Sequence, residues 1–172
     1  APLVVPLREA GHHVTFLADS SVAKFLTARG YQHDGPGDEP AHALDSVVPD
    51  LVLAGTSENR EGSSLAMIEA ARARAIPSVA AIDMLANADR RFRGLSDDPL
   101  HHAPDWLAVP DSPTAKVYER LGFRPDRITI CGHPHYDIVR ARRRAMDDET
   151  SALLRARLAP GLKLGQPLVV FL

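Results

Sequence analysis

Short apolar runs alternate with amphipathic stretches along almost the whole chain, and this alternation limits the fold more than any other feature. A strand buried on both faces reads as a continuous apolar run, and a helix between two such strands returns the chain to the same end of the sheet. The pattern therefore predicts βαβ units around a parallel sheet, an α/β fold. Strands are expected at 13–18 (HVTFLA), 50–54 (DLVLA), 77–82 (PSVAAI), 106–109 (WLAV) and 127–131 (RITIC), with a short one at 31–33. Helices are expected at 20–29, capped by Asp19 or Ser20 and stopped by Gly30, and at about 63–75. Others are expected from Ser112 or Pro113 to Leu121 with Gly122 as the stop, at about 136–146 and at 149–158. Residues 33–49, rich in Gly, Pro and charge, read as a loop with one weak helix. Residues 84–104 are polar, carry Arg90, Arg91, Arg93, His101 and His102, and resemble a mobile loop.

Composition removes several classes. At 45% hydrophobic residues the chain is too apolar to be disordered, and 172 residues suffice for one buried core. Its 20 basic residues nearly balance 22 acidic ones, which argues against nucleic acid as a partner. A single cysteine excludes a disulfide framework and fits a reducing, cytoplasmic setting. No apolar run is long enough for a membrane span, and no signal peptide opens the sequence.

Both ends look cut. Residues 1–11 read as the tail of a helix closed by Gly11, with no strand ahead to feed it. At the other end, 166–172 (QPLVVFL) is a β-branched run that stops as it begins, after a linker marked by Pro160-Gly161 and Gly165 to Pro167. The expectation is a piece of a longer polypeptide, lacking a first strand and a following domain.

Candidate chemistry gathers at strand ends. The G-x-G-x-x-G and G-x-x-x-x-G-K-[ST] phosphate cradles and the G-x-S-x-G elbow do not occur. The loop 55–62 (GTSENREG) follows a strand and precedes a helix, where open α/β sheets bind ligands. Thr56, Ser57 and Asn59 there can exchange hydrogen bonds and Glu58 can act as a base, unless Ser63 or Ser64 merely caps the helix and the loop is only solvated. Asp83 ends the apolar PSVAAI run, where partial burial would make it a general base, or where it caps the next turn. Residues 132–137 (GHPHYD) crowd His133, His135 and Asp137 together. The H-x-H-x-D spacing is that of some metal sites, but Pro134 between the histidines and the lack of a further ligand favour a crevice lining or a capping turn over a metal. The run 140–144 (RARRR), offset by Asp147, Asp148 and Glu149, reads as a solvated helix face, and Cys131 as a small buried hydrophobe.

Taken together, these segments resemble a known superfamily. Residues 9–17 (EAGHHVTFL) are similar to a segment near the start of many GT-B glycosyltransferases. Residues 127–137 (RITICGHPHYD) resemble a segment typical of the branch that contains UDP-N-acetylglucosamine 2-epimerase and related sugar transferases, and 106–122 resembles the strand and helix before it. The resemblance spans roughly residues 1–140. It implies the N-terminal half of a two-domain GT-B fold, a Rossmann-like three-layer parallel sheet. Residues 1–158 would be the acceptor-binding domain, and 159–172 the linker and first strand of a donor-binding domain. It implies transfer of a sugar from a nucleotide-sugar donor to a hydroxyl acceptor, with Asp83, Glu58 and His133 as catalytic candidates. Thr56, Ser57, Asn59, Asn87 and His135 would bind substrate, no cofactor or metal is implied, and a homodimer is left open. That branch carries an acidic residue in a G-D-T turn where this chain has Ala54-Gly55-Thr56-Ser57, so transfer is favoured over epimerisation. The alternative from another class is a Rossmann-like ligand-binding or regulatory domain without chemistry.

Overall fold

The computed structural model describes residues 3–35, 40–163 and 166–167. The chain divides into two compact units, Ala1–His133 and Pro134–Leu172. The first holds helices α1 (Val4–Glu9), α2 (Ser20–Thr27), α3 (Pro40–Val47), α4 (Ser63–Ala73) and α5 (Ser112–Arg120), and strands β1 (Val52–Gly55), β2 (Ser78–Ala81), β3 (Trp106–Val109) and β4 (Ile128–Ile130). The second holds α6 (Pro134–Ala145) and α7 (Asp148–Leu158), and Arg142, Arg143 and Arg144 are exposed on α6. Of the expected last strand within 166–172, residues 168–172 lie outside the described residues.

The four strands form one sheet in the order β1-β2-β3-β4, and every pair is parallel. An all-parallel sheet flanked by helices is the α/β, Rossmann-like arrangement that the alternating pattern predicts. One face of the sheet carries Val52, Ala54, Ala80, Ile82, Leu107 and Val109, all buried. Against them α4 packs Leu65 and Ile68, and α5 packs Ala115 and Tyr118. Met67 and Ala71 of α4 meet Leu44 of α3 and Val52 in a smaller cluster. The opposite face is more thinly covered: Leu53 is 45% exposed, and Trp106 is half-buried beneath the Arg127 guanidinium, 4.2 Å from its ring centre.

Four expectations need correction, beginning with residues 31–33, which form no strand. Residues 13–18 do not join the sheet. Among the described residues they form only a bridge, Leu17 with Asp34, closed by Ala18 N–H to Asp34 O and Asp34 N–H to Phe16 O, both 2.9 Å. An apolar run shows that a segment can be extended but not which neighbour it pairs with. Cys131 is exposed, because β4 is an edge strand and the residue lies past its last pairing, Val109 with Ile130. Residues 84–104 are no open loop. They fold into successive turns that bury Ala88, Arg91 and Phe92, whose i, i+3, i+4 spacing presents one face to the core.

Local caps set the strand and helix ends. Ser78 N–H and Oγ donate to Asp105 Oδ2 at 2.8 and 2.9 Å, tying the start of β2 to the residue before β3. At α5, Thr114 N–H and Oγ1 donate to Asp111 Oδ1 at 2.8 and 2.6 Å, which holds the Asp111 carboxyl below its ordinary value of 3.8. A carboxyl lowered in the folded state contributes stability above its unfolded value and loses it as pH falls through the folded one. Asp111→Ala is therefore expected to lower the thermal midpoint at neutral pH, with the gap to wild type closing in acid. Parallel melts across pH check this.

Candidate functional site

The carboxyl ends of β1 and β2 are held together by one side chain. Arg91 is only 4% exposed, and its NH1 donates to Thr56 Oγ1 at 2.8 Å and pairs with Asp83 Oδ1 at 2.9 Å. Its Nε donates to Ala86 O at 3.3 Å, within its own segment. Thr56 in turn donates to Ala81 O at 3.4 Å, across from β1 to β2. A guanidinium removed from water needs its charge matched and its N–H groups bonded. Asp83 supplies the charge, and Thr56 and Ala86 supply acceptors.

Beside this knot, Asn87 Nδ2 donates to Glu58 Oε1 at 2.5 Å, orienting the carboxylate. Asn87 has φ +55°, the left-handed region that asparagine tolerates better than most residues. Glu58 also lines a cavity of about 320 Å³ together with Arg60, Asp89, Arg90, Arg93 and Gly94. Three arginines against two carboxylates give the cavity a positive excess that suits an anionic group.

The structure thus ties Thr56 to Asp83 through Arg91 and, in a separate contact, Glu58 to Asn87. Ser57 and Asn59 serve the loop itself: Asn59 N–H donates to Ser57 Oγ at 3.3 Å and Glu61 N–H to Asn59 Oδ1 at 3.2 Å. Asp83 is not buried as a base would be; its side chain is 53% exposed and ion-paired. Neither Ser63 nor Ser64 caps α4, because Gly62 occupies the N-cap and no side chain bonds there. His133 is half-buried after β4, beyond Gly132 with φ +77°. His135 belongs to the second unit, exposed in the first turn of α6, where Pro134 is the first residue and Asp137 lies in the same turn.

Arg91 is the residue that sequence reasoning missed. Its signal was the spacing of Ala88, Arg91 and Phe92 inside a run that looks uniformly polar. Phe92 is fully buried with its ring 6.0 Å from that of Tyr118. The Tyr118 hydroxyl is buried without a hydrogen bond among the described residues, and burial pushes its pKa up to about 12.

Two outcomes follow. Asp83→Asn leaves a buried guanidinium without its counter-charge and is expected to cost about 1–3 kcal/mol, below the usual loss for a buried pair because water reaches the half-exposed partner. Arg91→Met removes the charge itself and is expected to cost less; urea unfolding of both variants ranks them. The raised Tyr118 pKa keeps its stabilisation intact below an unfolded value of about 10 and loses it as pH rises through about 12. Tyr118→Phe should flatten that alkaline loss without lowering stability at neutral pH, read by melts in alkaline buffers.

No family model matches the chain, and no curated protein is significantly similar to it.

Proposed function

We propose that the chain is the acceptor-binding half of a glycosyltransferase, which passes a sugar from a nucleotide-sugar donor to a hydroxyl acceptor. The observation that carries this reading is the Glu58 carboxylate, hydrogen-bonded by Asn87 and lining a cavity with three arginines at the carboxyl ends of parallel strands. The motif resemblance of residues 9–17 and 127–137 points the same way.

In this reading Glu58 accepts the proton of the acceptor hydroxyl. The oxygen then bonds to the anomeric carbon as the bond to the nucleoside diphosphate breaks, and the diphosphate leaves with the bonding electrons. A positioned general base contributes typically about 10²–10⁴-fold. Asp83 acts through Arg91, holding the guanidinium that fixes Thr56 and the strand ends. Arg60, Arg90 and Arg93 attract negative charge on the substrate. His133 is the second candidate base, and donor binding falls to a further domain.

The test incubates the chain, within whatever longer polypeptide its gene encodes, with a panel of nucleotide sugars and hydroxyl acceptors and follows nucleoside diphosphate release. Transfer is expected, with Glu58→Gln lowering kcat about 100-fold or more while folding is kept. Consumption of no nucleotide sugar overturns the reading. Saturable binding of a small anion without turnover would favour the ligand-binding alternative that the arginine-lined cavity also supports.

A further inference from the structure

We propose that Glu69, His101 and His102 bind a single divalent transition-metal ion of the Zn2+ type, which clips helix α4 to the segment 84–104. One ligand atom from each residue lies within 4.8 Å of the others. His102 Nδ1 is 2.9 Å from Glu69 Oε1. It is nevertheless buried with no hydrogen bond among the described residues. The pair is close enough for an ion pair but is not aligned as a hydrogen bond, so the ring nitrogen and the carboxylate oxygen together offer two donor atoms to one cation.

The surroundings hold these groups in place. The His101 and His102 rings stand edge to face with centroids 4.6 Å apart, so two neighbouring imidazoles converge on one side of the chain. Arg72, three residues after Glu69 on the same helix, donates to the carbonyls of His101 at 3.4 Å and Ala103 at 2.6 Å, bracketing both histidines. His102 N–H donates to Phe92 O at 2.8 Å. Gly94, at φ +59°, leaves room for the His102 ring where any Cβ would collide with it. Backbone and second-layer contacts of this kind are what pre-orient metal ligands.

Two imidazoles and one carboxylate suit Zn2+, Co2+ or Ni2+ and discriminate against Mg2+ and Ca2+, which prefer oxygen donors throughout. Three protein ligands leave a fourth position for water. The ion's role is a clip, because Glu69 comes from α4 whereas both histidines belong to the segment that carries Arg91 and Asn87. None of the three residues takes part in the proposed sugar transfer, so the two proposals stand or fall separately.

The test titrates the full chain with Co2+, read by its visible spectrum, and with Zn2+ by calorimetry. One equivalent is expected to bind, with excess Mg2+ failing to displace it and the thermal midpoint rising on saturation. Glu69→Gln and His101→Ala, both at exposed positions, should keep the circular dichroism spectrum and each weaken binding at least roughly tenfold. Absence of saturable binding, displacement by Mg2+, or unchanged affinity in both variants overturns the proposal.

Discussion

The buried Arg91 guanidinium organises the carboxyl ends of β1 and β2. Arg91 reaches across two strand ends, and its partners come from three places: Thr56 after β1, Asp83 after β2 and Ala86 in its own segment. A desolvated charge of this kind adds little net stability, since the Coulombic gain roughly offsets the loss of hydration. What it contributes is geometry. Any packing that buried Arg91 elsewhere would leave the guanidinium unmatched, so the buried charge ties the segment to these strand ends. Phe92, next in sequence and fully buried against Tyr118, secures that position from the apolar side.

The two ends of β2 are held by opposite devices. At its start, a carboxylate from the β3 side, Asp105, accepts from Ser78 backbone and hydroxyl together. At its finish, the ion pair of Asp83 with Arg91 does the corresponding work. The first device bridges β2 and β3 and satisfies neutral donors, and the second pairs two opposite charges eight residues apart. Chemistry that depends on electrostatic preorganisation gathers naturally at the second, where Glu58 and Asn87 also meet.

The four sheet strands were legible because their short apolar runs stand between helical stretches, and WLAV at 106–109 is reproduced residue for residue. The loop after β1 and the residue ending β2 were legible as site candidates because strand carboxyl ends in such sheets are exposed to ligands. Four features were hidden. Pairing of 13–18 depends on a partner that periodicity does not name. Burial of Arg91 depends on a fold of polar turns whose composition imitates solvent. The exposure of Cys131 depends on β4 lying at the edge, which is a property of the whole sheet and not of RITIC. The convergence of His101 and His102 on Glu69 likewise arises from a turn and a helix far apart in sequence.

Each strand pairs only with its predecessor and successor in the chain, Val52 with Ser78, Val79 with Trp106, Leu107 with Ile128. In such a sheet every strand after β1 finds its partner in the strand before it, and each pairing closes a loop of modest length. The sheet has no central strand inserted late between two earlier ones. Growth or loss of a strand beyond β3 therefore leaves the β1–β2 ladder and the Arg91 knot undisturbed, whereas loss of β1, the opposite edge, would remove Thr56 from it. An architecture of this sort can be lengthened over evolutionary time from its β4 border while the contacts between the ends of β1 and β2 are kept.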